Sequence, residues 1–157
     1  MSSVGILKGK IIVVTGASRG IGRAIALRLA REGAALVLAA RSEEDLLKVA
    51  AEAEAAGGMA VAVAIDLRTA DSPAALVKAA LDAYGAIDIV VNNAGATKRG
   101  DFLELTDADW VDGFALKFFG AVRLTREAWP HLKARRGAVL NIVGSGARTP
   151  GPEFTIG

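Results

Sequence analysis

The chain has 157 residues, the size of one domain, with 52% hydrophobic and 23% charged residues and positive mean hydropathy, which excludes a disordered or low-complexity chain. A net charge of +2 leaves no electrostatic footprint for nucleic acid, and the one dense basic cluster (Lys133, Arg135, Arg136) reads as the solvated end of a helix. There is no cysteine and one histidine, His131, so disulfides, thiolate metal sites and a His-rich zinc site are excluded and no metal is expected.

The N-terminal MSSVGILKGK lacks the basic-then-apolar layout of a signal peptide, and no apolar run approaches the roughly 20 residues that span a bilayer. No membrane partner and a cytoplasmic location are the expectation. The first structured element is IIVV (11–14), an apolar run followed by the glycine-rich TGASRGIG and a helical pattern over 20–32. A second apolar run, ALVLAA (35–40), precedes a helix over 43–56, with Ser42 as N-cap, acids in the first turn and Gly57-Gly58 as a stop. AVAVAI (60–65) leads to a helix over 72–84 that opens at Asp71-Ser72-Pro73, where proline is tolerated. IDIVV (87–91) is followed by NNAG and then a long helix over 107–134. This helix starts at the capping-box-like pair Thr106 and Asp109 and is expected to kink or end near Pro130. AVLNIV (138–143) is the last apolar run.

Runs that are apolar without alternation suit strands buried on both faces. Strand and helix alternate from end to end, which specifies an α/β fold, a Rossmann-type doubly wound parallel sheet with helices on both faces, in a single domain over 1–157. Three strands fall in the first half of the pattern but only two in the second. A further strand and helix are therefore expected beyond the last residue, the chain being read as the N-terminal part of a longer domain.

Gly16, Gly20 and Gly22 lie between the first strand and the first helix. Gly16 permits the tight turn, Gly20 lets the backbone approach a pyrophosphate, and Gly22 allows close helix–strand packing. The helix N-terminus then offers free N–H groups to phosphates. On the residues alone this reaches a dinucleotide-binding α/β domain. The second strand ends Ala39-Ala40-Arg41, without the acid that would accept from an adenosine ribose in an NAD site. Arg41 and Arg19 offer donor forks suited to a 2′-phosphate, unless both are solvated surface arginines; NADP is expected over NAD. Asp66 ends the third strand at the edge where ligands bind in open sheets, or else helps the turn into the third helix.

TGASRGIG, with NNAG at 92–95, resembles the short-chain dehydrogenase/reductase family over nearly the whole chain. The resemblance implies hydride transfer between nicotinamide and a carbonyl or alcohol substrate, in a homodimer or homotetramer formed through the long helix. That helix presents Phe114, Phe118, Phe119, Val122 and Trp129 beyond its core-facing residues. It implies a cofactor site of Gly16, Ser18, Arg19, Gly20, Ile21, Gly22, Arg41, Asp66, Leu67, Asn93, Ala94 and Gly95. Within it Asp66 accepts from the adenine amino group, the Leu67 N–H assists, and Asn93 braces the central strands.

The catalytic positions depart from the family. Its helix asparagine falls on Lys117, seven residues after Trp110. A lysine there is expected to lose the backbone distortion and water contact of the asparagine; it is either a surface lysine or an active-site cation. The family serine falls on Gly144, and Ser145, one residue later, serves as carbonyl donor if the loop is shifted. The catalytic candidates are thus Ser145 and Lys117. The family's Tyr-x-x-x-Lys is absent: the one tyrosine, Tyr84, is followed by GAID and is expected to pack in the third helix. The tyrosine position falls at or just past Gly157. Low turnover by these 157 residues is expected, and the alternative is a non-catalytic dinucleotide-binding or scaffold protein of the same descent.

Overall fold

The computed structural model describes residues 5–149 and 151–157. Five strands, β1 (Ile11–Thr15), β2 (Ala35–Ala40), β3 (Met59–Ala64), β4 (Ile89–Asn92) and β5 (Ala138–Asn141), form one sheet in the order β3-β2-β1-β4-β5. Every neighbouring pair is parallel. The order reverses between β1 and β4, so the crevice at the carboxyl ends of the strands opens where β1 and β4 part.

Side chains alternate across the strands and build two cores. Ile12, Val14, Leu36 and Leu38 face one cluster, and Val13, Val37, Ala39 and Val90 the other. The first core is covered by α1 (Gly20–Arg31) and α2 (Glu43–Ala55), which bury Ala26, Ala30, Leu46 and Val49. The second is covered by α3 (Ser72–Tyr84) and by α5 (Ala121–Arg135), through Leu76, Ala80, Leu124 and Leu132. Tyr84 packs against this second core, as expected.

The long helix differs from its expected form. It runs as α4 (Asp107–Phe114), a π-helical segment over Ala115–Gly120, and α5, continuing five residues past Pro130 to Arg135. Pro130 removes one backbone donor, but Ala128 and Leu132 on either side are buried, and this packing holds the helix through it. The irregularity falls earlier, where Gly120 meets the loop after β3. A β-carbon on Gly120 would lie 3.1 Å from the Leu67 carbonyl oxygen.

The amino-terminal edge of the sheet is closed by Asp88, 2% exposed. Its carboxylate accepts from Ile11 N (2.9 Å) and from Arg135 Nε (3.1 Å), with Lys10 Nζ at 3.5 Å. Burial alone would raise its pKa. The Ile11 N–H and the Arg135 and Lys10 charges outweigh it and hold the group below the usual carboxylate range.

Candidate functional site

The carboxyl-terminal edge of the sheet begins with the turn after β1. Gly16 has φ +64° and Gly20 φ +56°, the left-handed region that favours glycine. A β-carbon on Gly22 would lie 2.1 Å from the Gly16 carbonyl oxygen, so α1 rests directly on the turn. Gly22 therefore packs the helix rather than lining the opening. No side chain caps α1. Its first-turn amides, which lack intrahelical acceptors, are left available to a ligand.

Two side chains fix this turn to β4. The Thr15 hydroxyl donates to the Val91 carbonyl (3.2 Å) and accepts from the N–H groups of Asn93 (3.0 Å) and Ala94 (2.9 Å). Asn93 Nδ2 donates to the carbonyls of Thr15 (3.0 Å) and Gly16 (3.2 Å). Beside it Asn92 Nδ2 donates to Thr125 Oγ1 (3.1 Å) and Asn141 Oδ1 (2.9 Å), joining β4 to α5 and β5.

A cavity of about 650 Å³ runs along this edge. It brings together Gly16, Ser18, Arg19, Gly20, Ile21, Arg41, Asp66, Leu67, Asn93, Ala94, Gly95 and Lys117, every sequence-derived candidate except Gly22 and Ser145. Following the strand order, Asp66 and Arg41 lie on the β3–β2 side and Gly95, Lys117 and Gly144 on the β4–β5 side, with the glycine turn between. Asp66 lies two residues past the end of β3 rather than at it. It lines the cavity, and its Oδ1 accepts from Arg68 N (3.0 Å) in a tight turn. Arg68 also pairs with Asp66 (3.4 Å) and, from Nε, with Asp112 of α4 (3.1 Å).

Lys117 lies in the π-helical segment, so the expected loss of backbone distortion at this position is not what the structure has. The distortion is present with lysine in place, in a segment that closes on Gly120, where the chain packs tightly against the Leu67 carbonyl. Ser145 opens a short 3₁₀ turn and faces an adjoining cavity of about 470 Å³ with Arg99, Thr149, Glu153 and Phe154; Gly144 borders both cavities. The loop between β4 and α4 is tied down by Asp109, which completes the capping box with Thr106 and meets Lys98 Nζ at 2.9 Å. The Lys98 ammonium and the Thr106 N–H and hydroxyl lower the Asp109 pKa to about 2.

The family model for short chain dehydrogenases matches residues 10–156. The chain belongs to the short-chain dehydrogenase/reductase family. It is 39% identical over 137 residues to the ketoacyl reductase HetN of Nostoc sp., an alignment covering 87% of this chain and 48% of that protein. A metagenomic short-chain oxidoreductase solved in complex with NADP superimposes with a TM-score of 0.90 at 39% identity, over 96% of this chain and 69% of the other. The NADH-dependent reductase A1-R′ complexed with NAD gives 0.92 at 29% identity, over 98% and 67%. The chain spans about half the length of the curated relatives it matches. Among its described residues no helix is long and apolar enough to cross a membrane.

Several residues of this family member's site escaped the sequence reading. Ser42, Asp45, Ile65, Ile142 and Val143 line the cavity. The rule that ligands gather at the carboxyl ends of parallel strands would have found Ile65 and Ile142. Ser42 caps α2, accepting from Asp45 N (3.4 Å), and also faces the cavity, a second role that its place in the sequence does not show. The bridging of Thr15 and of Asn92 had no sequence signal, since both depend on which strands become neighbours.

Proposed function

We propose that this protein is an NADP(H)-dependent oxidoreductase that interconverts a carbonyl compound and its alcohol. The observation that carries the reading is the uncapped N-terminus of α1, opening behind two left-handed glycines into a cavity lined by two arginines, Arg19 of the turn and Arg41 after β2. These residues fit a dinucleotide phosphate. The amides at Gly20 and Ile21 take the pyrophosphate, Ser18 donates beside them, Arg19 and Arg41 hold the 2′-phosphate, and Asp66 and the Leu67 N–H read the adenine. Ala94 and Gly95 border the ribose path with little side-chain bulk, and Asn93 keeps β1 and β4 in register. The bound nicotinamide supplies or accepts the hydride. Ser145, next to the Gly144 that both cavities share, donates a hydrogen bond to the carbonyl oxygen, and Lys117 is the cation at that end.

Fluorescence titration tests the cofactor assignment. NADPH is expected to bind about tenfold or more tightly than NADH, and Arg19→Ala or Arg41→Ala to remove roughly tenfold each from NADPH alone. Equal affinity for the two dinucleotides, or variants that weaken both alike, would sink it.

Glycine at the family serine position and lysine at the family asparagine position favour a second reading, a dinucleotide-binding protein without catalysis. Turnover separates the two. The 157 residues contain no Tyr-x-x-x-Lys, so under the first reading they should bind NADPH and reduce carbonyls slowly but measurably. NADPH binding with no hydride transferred to any carbonyl would favour the second reading.

A further inference from the structure

On the β4–β5 side the cavity wall is Ala94, Gly95, Ala96, Leu116, Ile142 and Val143. Into this aliphatic surface projects one charged group, the Lys117 ammonium. A β-carbon built on Gly95 would meet Lys117 Nζ at 3.2 Å, so the ammonium lies on the Gly95 backbone and glycine makes the room. Lys117 is half-buried. Lys10, Lys48, Lys78 and Lys98 each reach a carboxylate, but Lys117 has no hydrogen bond or ion pair among the described residues. The acids that line the cavity are Asp45 and Asp66, which follow β2 and β3, across the turn after β1. Asp66 is already engaged by Arg68.

An ammonium set against apolar walls, with no ion-pair partner among the described residues, favours an anion. One ammonium with no neighbouring donor cluster matches a single negative charge. The phosphates of a dinucleotide are met elsewhere, by the α1 amides and two arginines. We infer that Lys117 receives a carboxylate of the substrate, so that the carbonyl compound taken here is an oxo acid and the alcohol a hydroxy acid. The inference rests on the dinucleotide reading of the cavity, which sets the reacting carbonyl beside β4 and β5.

The probes are 2-oxo-2-phenylacetate and its methyl ester, which share an apolar body and differ by one charge. Binding is followed by amide chemical shifts of the ¹⁵N-labelled chain, with and without saturating NADPH. The acid should bind about tenfold more tightly than the ester and shift the amides of Gly95, Lys117 and Gly144. Lys117→Gln should remove that advantage while leaving NADPH affinity within about threefold, and Lys117→Arg should keep most of it. Equal affinity for acid and ester, or acid-induced shifts remote from Lys117, would overturn the inference. So would a Lys117→Gln variant that loses NADPH and acid alike, since Lys117 would then serve the dinucleotide's own anionic groups. Failure of the parent chain to bind NADPH defeats the cavity reading instead, and the acid–ester comparison without NADPH still decides the role of Lys117.

Discussion

Thr15 serves three backbone groups with one hydroxyl, donating to Val91 and accepting from Asn93 and Ala94. Valine has nearly the same shape and none of this capacity. Thr15→Val leaves two N–H groups without an acceptor, at a cost of about 2–3 kcal/mol, which for a chain of this length lowers the melting temperature by roughly 5–10 °C. Thr15→Ser should recover most of the loss in the same thermal scan, and a valine variant as stable as the parent would contradict the bridging role. In the sequence Thr15 was only the residue ahead of the glycine turn. Gly16, Gly20 and Gly22 were legible because their function lies in local backbone geometry, whereas Thr15 acts on a strand 76 residues away. Lys117 stood between the two cases. Its position was readable from its spacing to Trp110, but its lack of a partner depends on what folding brings to its side of the cavity.

At the scale of elements, the capping box of α4 links pH to the loop between β4 and α4. Asp109 has a folded pKa of about 2, below its ordinary value of 3.8. Its contribution to stability is complete above that ordinary value and is lost as pH falls toward 2. Thermal scans should therefore show Asp109→Asn less stable than the parent at pH 7, with the gap narrowing between about pH 4 and pH 2.5. A gap independent of pH would dissociate the cap from the charge. The strands and the first three helices were legible because continuous apolar runs, N-caps and glycine stops act within a few residues. Ser42 and the Thr106–Asp109 pair cap where they were expected to. The π-helical segment and the passage through Pro130 were not legible. Both sit where the helix meets the rest of the molecule, the first beside the close approach of Gly120 to the Leu67 carbonyl and the second between the buried Ala128 and Leu132.

Across the whole molecule, α4 and the π-helical segment after it carry a ladder of aromatic rings. Trp110, Phe114, Phe118 and Phe119 follow one another at 6.4, 6.0 and 5.2 Å between centroids. Phe118 and Trp129 are 53% and 58% exposed, apolar surface of the kind that subunit contacts cover. Sedimentation of the parent chain is expected to give a dimer or tetramer. Phe118→Glu with Trp129→Glu should give monomers that still bind dinucleotide; monomers in the parent chain would count against pairing through this face. The sheet itself separates two kinds of polar function. At its amino-terminal edge one buried carboxylate, Asp88, gathers a backbone N–H and two cations from Lys10, Ile11 and Arg135. At the opposite edge the amides of α1 carry no capping side chain. The carboxylate anchor thus sits at the edge opposite the cavity, and Arg19, Arg41 and Lys117 take no part in it. If the proposed roles of those three residues hold, coenzyme preference and substrate charge can diverge among descendants of this chain, or be rewritten by an engineer, without touching that anchor.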